Sequence, residues 1–463
     1  VADMFVRRVE EAGLAQSSYF IACQASGEAV VVDPHRNTEV YEAIAEEQGF
    51  RIIAVTETHI HADFVSGARA LAQQTGAQLY LSDTGGPDWL YRFPHEGLVD
   101  GSEIQVGSIR LRAMATPGHT PEHLSFLLFD AGAEEAMAAI TGDFVFVRDV
   151  GRPDLLEAAA GVSGSADSGA RQMFQSLQRF RGLPEFLQVW PGHGAGSACG
   201  RAMAAVPGSS VGYELRTNWA LQEAQEDHFV GELLRDQPEV PTYFARMKRI
   251  NRDEQPLDRF VPPRRLEATD ASRLILQGAL VLDTRNREDF AAEHVAGSLH
   301  IEADASIGNW AGWLIAPEQD LILVADPARA TELSAAMFRV GIDRVLGYVS
   351  SLAGIEAPRG KAERVDLEKA DQLIRDGVPV MDVRWAHEFT EAHVPGALHR
   401  PLGNLTSPPD GLTPDEPVLV HCRSGHRSSI AASQLRRLGF RAVFDLRPGF
   451  NGWKESGRPV EQV

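Results

Sequence analysis

The chain has 463 residues, 44% of them hydrophobic, and a net charge of −20 with its basic residues scattered rather than clustered. Such a length favours about three domains, and such an apolar share fills several packed cores. The charge argues against nucleic acid and anionic membranes as partners, and no apolar run approaches the roughly 20 residues that span a bilayer.

Val1-Ala2-Asp3-Met4 is followed by mixed charges, so no signal or transit peptide is expected. Cys23, Cys199 and Cys422 form a sparse, odd set. That argues against a disulfide framework and for a reducing compartment, so a cytoplasmic location is expected. Residues 19–34 read as a hairpin turned at Ser26-Gly27-Glu28, with Val30-Val31-Val32 as a buried strand and Cys23 as core filler. Helical spacing follows at 39–48. A strand at 52–57 runs straight into His59, and 68–74 returns to helix. Further strands are predicted at 78–81, 108–115, 123–129, 137–140 and 187–190, with closing helices at 213–235 and 241–249. Residues 251–265 are polar and Pro-rich and read as a linker.

After that linker the chain repeats itself. Val281-Leu282-Asp283-Thr284-Arg285, Phe290 and His294-Val295-Ala296-Gly297 return as Val380-Met381-Asp382-Val383-Arg384, Phe389 and His393-Val394-Pro395-Gly396, at a constant offset of 99 residues. This spacing marks a duplicated domain rather than a solenoid. Three domains are expected, at 1–250, 262–357 and 362–463, the last two joined at 357–361. Each repeat reads as a small α/β unit on a parallel sheet. Asp283 with Arg285, and Asp382 with Arg384, read as scaffold groups.

In the first segment four strand-like runs end on His or Asp. They are His59-Ile60-His61-Ala62-Asp63-Phe64, Thr116-Pro117-Gly118-His119, Thr141-Gly142-Asp143 and Pro191-Gly192-His193. In sheet enzymes chemistry collects beyond strand ends, so the four together point to a metal site. In the last repeat the apolar run 418–421 opens into Cys422-Arg423-Ser424-Gly425-His426-Arg427, before a helix. Loop N–H groups and the helix start would face the sulfur and favour a thiolate and an anion beside it. Arg423 and Arg427 add positive charge; Arg427 is expected to take part in catalysis with Cys422, and Arg423 and Gly425 to bind the substrate. Such a thiol suits taking a sulfane atom from one anion and passing it to another. The earlier repeat has Ala325-Asp326-Pro327 at the equivalent point, with no thiol and a loop about two residues shorter. It is therefore expected to be inactive and to serve spacing, docking or oligomerisation.

The first segment resembles the metallo-β-lactamase fold superfamily, whose leading motif is His-x-His-x-Asp-His. Phe64 stands where that motif has its last His, and a phenyl ring cannot hold a second ion. Within the superfamily the run Thr141-Gly142-Asp143 … Gly151-Arg152-Pro153-Asp154 is similar to persulfide dioxygenases. The resemblance implies one ferrous ion per chain, Fe(II), held by His59, His119 and Asp143. Two imidazoles and a carboxylate on one face leave positions open, as non-haem iron requires. It also implies that His61, Asp63 and His193 orient ligands or water around that ion, that Arg152 lies near the substrate, and that Arg148 and Arg201 could meet carboxylates of a thiol cofactor. Cys199, in the loop that begins at Gly192-His193-Gly194, matches a cysteine which dioxygenases fused to sulfurtransferases place near the iron.

The loop Cys422 to Arg427 resembles the rhodanese active loop, Cys-x-x-Gly-x-Arg, and Arg447-Pro448-Gly449-Phe450-Asn451-Gly452-Trp453 matches the family's closing run. The fold class implied is α/β: a metallo-β-lactamase αββα sandwich followed by two rhodanese-like α/β domains. The function implied is oxidation of a low-molecular-weight persulfide, of glutathione or coenzyme A, by O2 to sulfite. It would be coupled through Cys422 to exchange of sulfur among sulfite, thiosulfate and thiol. A homo-oligomer, dimer or tetramer, is expected. Two rivals stand beside this reading: a zinc thioesterase of glyoxalase II type carrying rhodanese modules, and a non-enzymatic persulfide relay or sensor.

Overall fold

The computed structural model describes residues 4–462 apart from 156, 158–163, 202 and 238. Val1, Ala2 and Asp3 of the N-terminal reading, and Val463 at the end of the last repeat, lie outside the described residues. The chain divides into two compact units: the first takes residues up to Phe260 together with Arg339–Gly341, and the second takes Val261–Phe338 and the chain from Ile342 on. No helix among the described residues is long and apolar enough to cross a membrane.

The first unit stacks two six-stranded sheets. One runs in the order Met4–Glu11, Gln16–Cys23, Glu28–Val32, Arg51–Thr56, Gln78–Ser82, Glu96–Leu98, with antiparallel pairing up to the third strand and parallel pairing beyond it. The other runs Ser209–Ser210, Gln188–Pro191, Ala138–Gly142, Leu124–Phe129, Ile109–Ala115, Glu103–Val106. Strand side chains alternate between faces, and the chain uses both. Tyr19, Ile21 and Cys23 enter the core between the sheets, against Leu111, Phe126 and Ile140. Phe20 and Ala22 point the other way, onto Tyr41 and Leu71 of the helices Glu39–Gln48 and Ala68–Thr75. On the far side Ala139 and Val189 pack against Met173, Leu177 and Phe180 of Ser165–Arg181. The result is the expected helix–sheet–sheet–helix sandwich. Each such large apolar side chain contributes roughly 1.5–3 kcal/mol by leaving water.

One strand was not anticipated and two local readings change. The edge strand Met4–Glu11 was hidden by Arg7 and Arg8. The helix expected over 213–235 is three pieces, Val211–Thr217, Trp219–Gln222 and Glu226–Leu234. Asn218 makes the first break: its side chain accepts from Ala220 N–H and donates to Asp149 O at 2.9 Å, a better use of a buried amide than an interior helix turn. Asn251, read as the start of a linker, lies instead in the helix Phe244–Asp253 and is fully buried. Its amide donates to His61 O at 2.8 Å and Phe64 O at 2.7 Å, and accepts from Ser66 N–H at 2.9 Å, so it fixes the segment that carries His61 and Asp63.

The second unit holds two parallel sheets. Leu299–His300, Leu280–Asp283, Leu321–Val324 and Val345–Val349 form one. Glu363–Val365, Val443–Leu446, Val418–His421, Val380–Asp382 and Leu398–His399 form the other. The duplication reaches side-chain detail. Arg285 grips Asp283 at 2.6 Å and donates to Glu293 O at 2.8 Å; Arg384 grips Asp382 at 2.6 Å and donates to Ala392 O at 2.7 Å. Phe290 stacks between His294 and His300 at 4.0 and 4.4 Å, and Phe389 between His393 and His399 at 3.9 and 4.4 Å. The scaffold reading of these groups holds: they brace the turn after each first strand.

Candidate active sites

His59 follows the strand Arg51–Thr56, and its ring is set from behind. Thr58 Oγ1 donates to Asp33 Oδ2 at 2.9 Å, so its lone pair is what meets His59 Nδ1 at 2.9 Å. That leaves the proton on Nδ1 and the free pair on Nε2. His119 is set the same way: Nδ1 donates to Arg152 O at 2.9 Å. Asp143 closes Ala138–Gly142. Its N–H donates to His123 Nε2 at 3.1 Å, and its Oδ1 meets His193 Nδ1 at 2.7 Å. The remaining atom, Asp143 Oδ2, is buried with no hydrogen-bond partner, 3.9 Å from His59 Nε2 and 3.6 Å from His119 Nε2. An orphaned buried carboxylate oxygen is costly unless a cation completes it. Burial lowers both imidazoles below their ordinary range, His59 well below it, with the charge on His61 as a further cause there. Neutral rings keep their Nε2 pairs available. Three donors with their second atoms pinned are the outer-sphere arrangement of a metal site, and these residues fit one ion.

Packing leaves little slack. A Cβ on Gly151 would lie 1.9 Å from Asp143 O, and one on Gly192 would lie 2.9 Å from Asp143 Oδ1. Only hydrogen fits at either position without moving the backbone or the carboxylate of Asp143.

His61, Asp63 and His193 surround this group. His61 turns to Asp33, Nε2 to Oδ1 at 3.2 Å; burial works against a charge there, but the carboxylate outweighs it and lifts the imidazole to about 9. Phe64 is buried and its ring lies 4.4 Å from the His61 ring. His193 bridges two carboxylates, Asp143 at 2.7 Å and Asp63 at 2.9 Å. Cys199 joins Asp63 and His193 in a second grouping. Both His193 nitrogens are already bonded there, and burial, then the Asp143 and Asp63 carboxylates, push the Cys199 thiol well above its usual value.

Two expected substrate contacts are corrected. Arg152 is buried, and its guanidinium is taken up by Asp154, with Nε to Oδ1 at 2.8 Å, and by Ala198 O at 3.3 Å. It joins the 151–154 turn to the Cys199 loop rather than facing a substrate. Arg201 donates to Arg235 O at 2.9 Å and Glu232 O at 3.2 Å, beyond the end of Glu226–Leu234, a good place for a cation. Arg148 is exposed, in the left-handed region with φ 69°. The sequence reading missed Asp33 and His123, although His123 lies four residues past His119, and it missed a cavity. That cavity, about 730 Å³, is lined among others by Trp89, Pro121, Gln172, Lys248, Arg249 and Arg252. Lys248 sits 3.2 Å from the Trp89 ring centre, and burial brings its ammonium down to about 8.

In the second unit Cys422 is buried at the end of Val418–His421, and Gly425 N–H donates to its Sγ at 3.1 Å. Gly425 has φ 96°, which turns the loop into the helix His426–Arg437. Arg427 is held by Glu388 at 2.6 and 2.9 Å and lies over Trp385, while Arg423 is exposed. In the earlier repeat Asp326 accepts from Ala328 N–H at 2.9 Å and so serves the backbone of its own turn.

The comparisons agree with this division. Residues 12–193 match the metallo-beta-lactamase superfamily and residues 366–456 the rhodanese-like domain. A hydroxyacylglutathione hydrolase of Methylococcus capsulatus is 33% identical over 196 residues, covering 42% of this chain and 68% of that protein. The mitochondrial persulfide dioxygenase ETHE1 of Bos taurus is 32% identical over 163 residues, 34% of this chain and 59% of the bovine one. The crystal structure of a metallo-beta-lactamase from Staphylococcus aureus superposes with a TM-score of 0.67 at 37% identity, covering 75% of this chain and 99% of that one. A sandwich carrying a His-His-Asp metal site, followed by a thiol loop on a parallel sheet, places this chain in the metallo-beta-lactamase superfamily with a rhodanese-like domain at its C-terminal end.

Proposed function

We propose that the first unit is a persulfide dioxygenase and the last repeat a sulfurtransferase acting through Cys422. The net reaction of the first would be RSSH + O2 + H2O → RSH + SO3²⁻ + 2H⁺. A ferrous ion bound by His59, His119 and Asp143 would supply the redox chemistry that brings both oxygen atoms of O2 onto the terminal sulfur. The chain's own part is positioning: Thr58, Arg152 and His193 hold the three ligands by their second atoms. The second reaction is an exchange. Cys422 thiolate attacks a sulfane sulfur, the new S–S bond forms as the old one breaks, and the departing group leaves with its electron pair.

The observation that carries the one-ion reading is the bonding of His193. It spends both nitrogens on Asp63 and Asp143, and Phe64 offers no donor. A zinc thioesterase is the second reading, favoured by relatives named hydroxyacylglutathione hydrolase. Metal analysis of anaerobically purified protein, followed by oxygen uptake with glutathione persulfide, separates the two. One iron per chain with stoichiometric sulfite supports the dioxygenase; two zinc ions without oxygen consumption refute it.

The cation-lined cavity reaches Pro121, two residues from His119, and suits the carboxylates or phosphates of the thiol carrier. Arg249→Ala is expected to raise KM for glutathione persulfide about fivefold with kcat little changed, because an exposed cation contributes to binding rather than to the reacting sulfur. Steady-state oxygen-electrode kinetics would reveal this split.

A further inference from the structure

The Cys-less repeat has no assigned task, yet it is bolted to the helix that follows Cys422. His300 Nδ1 bonds Ser429 Oγ at 2.7 Å, and His300 N–H donates to Ser433 Oγ at 3.0 Å, both buried. Trp310 stacks on Trp385 at 5.9 Å and 13°. A Cβ on Gly403 would meet the Trp313 ring at 2.0 Å, so the two repeats meet without a gap there. His426, inside the active loop, pairs with Asp304 at 2.8 Å. These contacts fix the earlier repeat against the mouth of the thiol loop.

One side chain uses that placement. Arg287 starts the helix Arg287–Ala292 of the Cys-less repeat, and its Nη1 donates to Ser424 O at 3.4 Å. The same Nη1 lies 3.0 Å from where a Gly425 Cβ would stand. Gly425 therefore touches both partners: its N–H bonds Cys422 Sγ at 3.1 Å, and its open α-carbon face meets a guanidinium from the other repeat. Two other cations nearby are more heavily committed. Arg427 is doubly bonded to Glu388, and Arg364 is held by Glu288 at 2.5 Å with Asp445 at 3.4 Å. Arg287 has one close carboxylate, Glu302 at 3.2 Å from its Nε, besides the Ser424 carbonyl, and its side chain stays 27% exposed beside the loop. Spare N–H groups at the rim of an anion cradle are placed to read the part of a donor that stays outside it.

We propose that Arg287, supplied by the Cys-less repeat, binds the anionic end of the sulfur donor while Cys422 takes its sulfane sulfur. This rests on the sulfurtransferase reading of Cys422. With thiosulfate, Cys422 thiolate attacks the outer sulfur, a Cys–S–S bond forms, the S–S bond of thiosulfate breaks, and sulfite leaves with the electron pair from beneath the guanidinium. The earlier repeat is then half of the donor site, and Arg287 sets the preference for dianionic donors.

The test uses the full chain under anaerobic conditions with cyanide as acceptor. Thiosulfate is compared with an alkyl hydropersulfide, whose far end is an uncharged alkyl group, as donor. Arg287→Gln is expected to raise KM for thiosulfate about tenfold, as loss of a charge-assisted contact should. It should change kcat less than about twofold and leave the alkyl donor unaffected, and Arg287→Lys should recover most of the loss. Glu302→Gln, which frees Arg287 from its carboxylate, should lower KM for thiosulfate and keeps the question open if Arg287→Gln does not fold. Equal effects on both donors, or none on either, overturn the proposal and make Arg287 a docking residue. A parent protein that transfers no sulfur from either donor overturns the sulfurtransferase reading, and this proposal with it.

Discussion

His119→Ala is expected to purify with less than roughly a tenth of the parent's metal and to lose persulfide-dependent oxygen uptake by about 10³-fold or more. The reason is geometric. Asp143 Oδ2 has no hydrogen-bond partner, and two imidazole nitrogens face it at 3.6 and 3.9 Å. Removing one leaves two donors for an ion that also has to keep positions open. His61 is turned to Asp33 through its Nε2, and His193 is bonded at both nitrogens. Elemental analysis with an oxygen electrode would measure both effects. Transfer of sulfur from thiosulfate to cyanide should survive in the same protein, because Cys422 lies in the other unit. A variant that oxidised persulfide at the parental rate would remove the metal from the mechanism.

Cys422→Ser is the complementary experiment. Sulfur exchange among thiosulfate, sulfite and thiol should fall by about 10³-fold or more, because a serine hydroxyl cannot carry a sulfane atom as a persulfide can. Cys422 is buried behind its loop and bonded by Gly425 N–H at 3.1 Å, and serine is small enough to occupy the site without disturbing it. Oxygen uptake with glutathione persulfide should stay within about twofold of the parent. The products then shift toward free sulfite, which ion chromatography would quantify. If oxygen uptake collapses as well, the two sites are one machine and not two modules.

The strand-end motifs were legible because a buried strand forces its first polar residues outward at its carboxyl end, so His59, His119 and Asp143 announced themselves beside apolar runs. The repeat was legible through Asp283, Arg285 and Phe290, which recur with their partners. What local pattern could not show is whether a charge is already spent. Arg152 looks available from its neighbours, yet Ala198, 46 positions away, supplies the carbonyl that helps bury it. Asn251 sits in linker-like composition, but long-range bonds to His61, Phe64 and Ser66 turn it into a strut. The role of Arg287 depends on two repeats meeting, which no window of one repeat contains.

The carbonyl that steadies His119 belongs to the same residue whose guanidinium is sealed against Asp154 and Ala198. That turn cannot swing outward without twisting a ligand ring, so on this flank the pocket has a stiff wall instead of a door.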